Sequence, residues 1–130
     1  DQLRLQANAQ ILQAEIVSGA ANGSRPQYAP ELIARASLTY SRASGAKAAL
    51  FMTHVSDQSG VDNGAAEFAI PAYTILDASL EWPIVGGLSV TGGVNNLLDE
   101  RYIGRIRPGG GGGIDPGAPR NAYLGLNARF

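Results

Sequence analysis

Apolar and polar residues alternate with a period of two along most of this chain, the pattern of β-strands with one apolar face. Six segments show it. From Leu3 to about Ile16, Leu3, Leu5, Ala7, Ala9 and Ile11 alternate with Arg4, Gln6, Asn8 and Gln10 before the phase slips to Leu12, Ala14 and Ile16. Such a slip marks a bulge or a strand leaving its apolar band. Leu32–Ser41 sets Leu32, Ala34, Ala36, Leu38 and Tyr40 against Ile33, Arg35, Ser37 and Thr39. Lys47–Val55 is a strand whose phase the sequence leaves open. Tyr73–Trp82 sets Leu76, Ala78, Leu80 and Trp82 against Asp77, Ser79 and Glu81, and Leu88–Asn96 sets Leu88, Val90, Gly92 and Val94 against Ser89, Thr91, Gly93 and Asn95. The last, Asn121–Phe130, is unbroken: Ala122, Leu124, Leu126, Ala128 and Phe130 on one face, Tyr123, Gly125, Asn127 and Arg129 on the other.

The connections alternate in length. Residues 17–31, 56–72 and 97–120 form long segments rich in Gly, Pro, Asn and Asp, expected as loops, whereas 42–46 and 83–87 are short turns. Every long connection thus lies at one end of an antiparallel meander, the arrangement of outer-membrane barrels, whose short turns face the periplasm and whose long loops face outside. Strands two, four and six then run toward the periplasm and end on Tyr40, Trp82 and Phe130, all on the apolar parity, as an aromatic girdle requires. The competing reading is three aromatics capping a β-sandwich core, but such a core would carry more Ile, Val and Phe at mid-strand. Six strands are fewer than the roughly eight of the smallest single-chain barrels, and open edges in lipid are costly. The expectation is a piece of a larger barrel or one subunit of an oligomeric one.

Composition narrows the classes further. The 17 glycines and 16% charged residues are unlike an ordinary α/β enzyme, and a net charge of −1 offers no field for nucleic acid. There is no cysteine, which removes thiol catalysis, disulfides and Cys-based metal sites. No run of 18 apolar residues marks a transmembrane helix. The sequence starts at Asp1, without Met or a signal peptide, so either a signal was removed or the chain is part of something longer; the strand count favours the second.

Catalytic chemistry finds no support. His54 is the one histidine and cannot form a triad alone; with Asp57 and Asp62 it has no recognised metal spacing, so a position in the lumen or a loop is expected. Asp77 and Glu81 are four residues apart on one strand face, too distant to act as an acid–base pair, and are expected to be solvated carboxylates facing the lumen. The run Gly109–Gly113 lacks the Lys-Ser/Thr and the helix of a phosphate loop. Asn95, Asn96 and Asp99 are expected to cap and turn the strand. One functional bias stands out. Arg101, Arg105, Arg107 and Arg120 crowd the last connection with only Asp99, Glu100 and Asp115 beside them. On an outer loop they suit either a carboxylate-bearing ligand, which guanidinium pairs bidentately, or anionic lipopolysaccharide and loop carboxylates.

Four segments resemble one family. Gly93-Val94-Asn95-Asn96-Leu97-Leu98-Asp99-Glu100-Arg101-Tyr102 resembles the N-N-L-F/L-D-x-x-Y segment of TonB-dependent outer-membrane receptors, although Leu98 stands where many members have Phe. Pro116-Gly117-Ala118-Pro119-Arg120, continuing to Gly125 and Leu126, resembles their lead-in to the final strand; Ala69-Ile70-Pro71-Ala72-Tyr73 resembles an earlier lead-in; and Arg25-Pro26-Gln27-Tyr28-Ala29-Pro30 resembles the R-P-x-Y-A-P of siderophore receptors. The resemblance implies an all-β fold, an antiparallel meander of about six transmembrane strands, with residues 1–130 forming the C-terminal segment of an outer-membrane barrel of about 22 strands, its plug and earlier strands absent. It implies capture of a ferric siderophore or ferric-citrate-like ligand, with Arg101, Tyr102, Arg105, Arg107 and Arg120 as candidate contacts. It further implies coupling to the TonB complex through a missing N-terminal part. Tyr123, Gly125, Leu126, Ala128 and Phe130 would be the signal read by the barrel assembly machinery, and Tyr40, Trp82 and Phe130 the girdle against outer-membrane lipids. No catalytic residue, metal site, cofactor or nucleic-acid partner is expected. Two other classes stay open: a passive porin-like or oligomeric channel, and a soluble β-sandwich adhesion module.

Overall fold

The computed structural model describes residues 1–62, 66–107 and 113–129. The described residues form ten strands: β1 (Gln2–Ile11), β2 (Leu32–Ser41), β3 (Lys47–Val55), β4 (Gln58–Asp62), β5 (Ala66–Ile70), β6 (Tyr73–Pro83), β7 (Leu88–Asn95), β8 (Ile103–Arg107), β9 (Gly113–Pro116) and β10 (Asn121–Ala128). Six make one antiparallel sheet in the order β1-β2-β3-β6-β7-β10, and β4-β5 and β8-β9 are separate two-stranded hairpins. No helix among the described residues is long and apolar enough to cross a membrane.

The register puts the alternating faces in phase across the whole sheet. Leu5 lies opposite Leu38, Leu38 opposite Leu50, Leu50 opposite Ala78, Ala78 opposite Val94, and Val94 opposite Ala122. One face therefore carries an apolar residue from every strand, and the other carries Gln6, Ser37, Phe51, Asp77, Asn95 and Asn121. This fixes the phase of β3: Ala48, Leu50 and Met52 share the apolar face, and Ala49, Phe51 and Thr53 the opposite one. Because a one-residue slip would move a whole apolar set to the wrong face, six matched phases define the register strongly.

Among the described residues, nothing covers the apolar face. Leu3 is 69% exposed, Leu126 71% and Leu124 81%, and the buried side chains among the described residues are only Ala46, Val55, Ile70 and Asn96. Exposing a Leu or Ile side chain to water forfeits about 1.5–3 kcal/mol, and a sheet presenting this many would not stay dispersed in water. A hydrocarbon surround removes that penalty. A β-sandwich needs a second sheet on this face, and none exists among the described residues.

Four expectations need correction. β1 stops at Ile11 instead of running to about Ile16, because its partner β2 begins at Leu32 and the backbone turns away: Leu12 N–H donates to Glu31 O (2.9 Å) and Gly23 N–H to Ile16 O (2.8 Å). The phase slip marks that exit. The second and third long connections are not plain loops, since each contains a hairpin. β7 ends at Asn95, because Asn96 has φ 53° and cannot continue a strand. His54, expected in the lumen or a loop, lies within β3 on the apolar parity, opposite Ala34 and Thr74, and its Nδ1 lies 2.9 Å from Thr74 Oγ1. The strand spacing decides this, since His54 follows Met52 by two residues.

The two tight turns lie at one end of the sheet. Arg42 N–H donates to Ala46 O at 2.8 Å, and Ile84 N–H to Leu88 O at 2.8 Å. Gly87 is required by space as well as by its φ of 79°, since a Cβ there would meet Arg129 O at 2.4 Å. Tyr40 and Trp82 sit at this end on the apolar face, 39% and 48% exposed. Phe130 lies outside the described residues.

Candidate functional site

The opposite end carries the first loop (residues 12–31) and both hairpins. The chain turns there out of the sheet at Asn96, the one buried polar residue among those described, 2% exposed. Its backbone N–H donates to Asp77 Oδ1 (2.8 Å); its side-chain Nδ2 donates to Glu100 O (2.9 Å) and Ala118 O (3.1 Å); its Oδ1 accepts from Glu100 N–H (2.8 Å). Asn tolerates positive φ better than other residues with a Cβ, and here its amide bonds both chains at the base of the β8-β9 hairpin. Asp99, at φ 56°, adds a second clamp, its Oδ1 accepting from Arg120 N–H at 3.3 Å. The expected turning role of Asn96 and Asp99 has this geometry; Asn95 instead bonds Asn121 Oδ1 at 2.8 Å across the β7-β10 pair.

Tyr102 completes the base. Its ring stacks on Tyr73 at 4.4 Å, and Gly117 N–H donates to Tyr102 O at 2.8 Å. A Cβ on Gly117 would meet that ring at 2.1 Å, so only glycine fits. Tyr73 stands opposite Val55 on the polar-face parity of β6, so the hairpin is seated on that side of the sheet. A cavity of about 310 Å³ opens between wall and hairpin, lined by Thr53, Asp77, Asn95, Tyr102, Pro119 and Asn121 among others. Its polar groups are amide, carboxylate, phenol and the Thr53 hydroxyl, a hydrogen-bonding surface.

The arginines singled out by the sequence are spread along this hairpin. Arg105 and Arg107 lie within β8, not in an irregular loop as expected, two residues apart on one face. The Ile103-Gly104-Arg105-Ile106-Arg107 segment is too short and too charged to stand out as a strand. Arg107 pairs with Asp115 at 2.7 Å, and Arg120 lies 3.9 Å from Asp99. Arg105 lies over the Tyr28 ring at 5.9 Å. Arg101 is exposed and has no ion pair among the described residues. The crowd is thus partly neutralised, and Arg101 and Arg105 keep the most open charge. On the sheet's polar face, Lys47 and Glu81 approach to 3.6 Å and Asp77 accepts from Asn96 N–H at 2.8 Å, so neither carboxylate is simply solvated as expected.

Sequence reasoning gave no role to Arg25 or Tyr28. Arg25 pairs with Glu31 and reaches Asp57 at 3.4 Å, tying the first loop to the start of the β4-β5 segment. Tyr28 has φ 57° and donates its hydroxyl to Ile106 O of β8. The prolines flanking Tyr28, which fix the local chain direction, were the available signal.

Comparisons with known proteins agree with this architecture. The model of the family described as TonB dependent receptor-like, beta-barrel matches residues 3–97, well over half of the chain. The metal-pseudopaline receptor CntO of Pseudomonas aeruginosa is 29% identical over 136 aligned positions, covering 100% of this chain and 19% of the receptor. The ferric yersiniabactin uptake receptor FyuA of Yersinia pestis superposes with a TM-score of 0.83 at 18% identity, over 98% of this chain and 21% of that one. The ferric-catecholate import receptor Fiu of E. coli K12 does so at 0.74 and 20%, over 95% and 18%. The chain spans about a fifth of the length of these relatives. They are receptors rather than enzymes. An antiparallel sheet with one uncovered apolar face, hairpins gathered at one end and a match to the family model together make this chain a member of the TonB-dependent receptor-like β-barrel family of the bacterial outer membrane.

Proposed function

We propose that this chain is the C-terminal stretch of wall and outer loops of a barrel of about 22 strands that imports a ferric siderophore or ferric carboxylate chelate with energy from the TonB complex. The observation that carries the reading is the placement of an arginine-bearing hairpin on the polar-face side of a sheet whose other face is uncovered and apolar. In this account the apolar face meets lipid, Tyr40, Trp82 and Phe130 mark the periplasmic boundary, and the polar face lines the lumen. The first loop and the hairpins meet ligand first. TonB acts through parts of the receptor N-terminal to this segment.

Arg101, Tyr102, Arg105, Arg107 and Arg120 are proposed to contribute to ligand capture, Arg101 and Arg105 most, because Arg107 and Arg120 already have carboxylate partners. Charge-assisted pairs are worth about 1.5–3 kcal/mol when partly desolvated and far less on an open surface. Changing Arg105 and Arg107 together to Gln in the intact receptor is expected to weaken ferric-citrate binding about tenfold. Both residues lie in β8, and losing the Arg107–Asp115 pair costs the hairpin only about 0.2–1 kcal/mol, so barrel unfolding should barely change. Titration with ferric citrate and a neutral siderophore checks the reading: equal loss for both, or none for either, contradicts anion capture.

Residues of the C-terminal segment, Tyr123, Gly125, Leu126, Ala128 and Phe130, are proposed as the assembly signal. Deleting Phe130 is expected to lower the amount of folded receptor, seen as heat-modifiable mobility on a gel, without changing affinity in what folds. An unchanged yield of folded barrel would remove that role.

A further inference from the structure

Tyr28 sits far from β8 in sequence and against it in space. Its hydroxyl donates to the Ile106 carbonyl across 78 residues of chain, and the Arg105 guanidinium lies 5.9 Å from its ring centroid. Its φ of 57° is unfavourable for a residue with a Cβ, so surrounding contacts must hold it. The segment that presents it is itself anchored. Pro26 and Pro30 flank it, and Arg25 grips Glu31 on its own loop and Asp57 beyond β3. The first loop is therefore fastened to the start of the β4-β5 hairpin at one side and to the β8-β9 hairpin at the other.

We infer that Tyr28 is a positioning residue, latching the first loop onto the hairpin and holding the Arg105 guanidinium by its face so that its N–H edge is turned to an anionic ligand. A guanidinium stacked on an aromatic ring keeps its in-plane donors free for bidentate pairing with a carboxylate, and the ring restricts a flexible side chain before ligand arrives. The inference rests on the proposal that Arg105 meets an anionic ligand, but the latch itself is independent of ligand.

The test therefore has two arms in the intact receptor. The segment has no native cysteine, so spin labels can be placed at Asn22→Cys in the first loop and Ile114→Cys in β9, both exposed. Without ligand, the distance distribution between them is expected to be narrow with Tyr28, broader with Tyr28→Phe, which loses only the hydroxyl bond, and broadest with Tyr28→Leu. Identical distributions in all three would overturn the latch. In the second arm, Tyr28→Leu is expected to weaken ferric-citrate binding about fivefold, with Tyr28→Phe within about twofold of the parent, because the ring supplies the cation–π contact. Combining Tyr28→Leu with Arg105→Gln is expected to lose no more than Arg105→Gln alone. Additive losses would overturn positioning through Arg105. If Arg105→Gln leaves binding intact, the ligand role of Arg105 and its positioning by Tyr28 fall together, while the distance measurement still decides the latch.

Discussion

Arginine at Leu50 or Leu80 in the intact receptor is expected to destabilise the barrel by about 2–4 kcal/mol, the cost of a cation on the lipid-facing side near mid-membrane, with Leu50 toward the upper value. Leu50 is central in β3, opposite Leu38 and Ala78, and Leu80 lies opposite Ala48 and Gly92, all on the uncovered face. Ser79→Arg is the control. Ser79 is adjacent in sequence but stands opposite Ala49 and Gly93 on the polar face, where a charged side chain can stay hydrated. Its substitution should cost well under half as much as Leu80→Arg. Denaturant unfolding in detergent, followed by the gel shift of the folded barrel, measures all three. Equal responses at positions 79 and 80 would mean that the two faces have been exchanged or that neither meets lipid.

The second large effect is expected at Asn96. Replacing it by Ala removes three side-chain hydrogen bonds, leaves the carbonyls of Glu100 and Ala118 without their Nδ2 donors, and puts an ordinary residue at φ 53°. Losing three part-buried hydrogen bonds at about 1 kcal/mol each, with about 1 kcal/mol for the backbone, brings the expected cost to about 4 kcal/mol at the hairpin base. Asn96→Gly relieves the backbone but not the bonds and should recover part of the loss, whereas Asn96→Asp, which sets a carboxylate oxygen against the Glu100 and Ala118 carbonyls, should not. Amide exchange at Glu100 and Gly117 reports it. In Asn96→Ala these amides should exchange far faster while those in the centre of β6 stay protected. Unchanged protection would mean that the Tyr73–Tyr102 stack holds the base alone.

The strands were legible wherever one face is apolar. Leu32–Ser41 was readable to the residue because its alternation is clean. Lys47–Val55 was readable in extent but not in phase, because Phe51 and Val55 sit on the polar face and Ala, Leu and Met on the other, so both parities look apolar. Only pairing with Leu38 and Ala78 settles it. The hairpins were hidden for a different reason. Gly, Asp and Arg in strands of four or five residues give no period, and their hydrogen bonding is decided by the partner strand. The turn at Asn96 was foreseeable from residue type; its grip on Ala118 was not, because that contact spans 22 residues. Tyr28 was visible only as part of a motif, since its partners Arg105 and Ile106 lie more than half the chain away.

If one face of the sheet meets hydrocarbon and the other an aqueous lumen, the two parities of a single strand must differ in what reaches them. A cysteine scan along β6, from Ile75 to Trp82 in the intact receptor reconstituted in bilayers, tests it most directly, since no native thiol of this segment interferes. With a spin label at each position, residues 76, 78, 80 and 82 should be accessible to oxygen dissolved in the lipid, and 75, 77, 79 and 81 to a water-soluble relaxing agent or shielded from both. Absence of that two-residue alternation, or lipid access at the odd positions, would contradict the account.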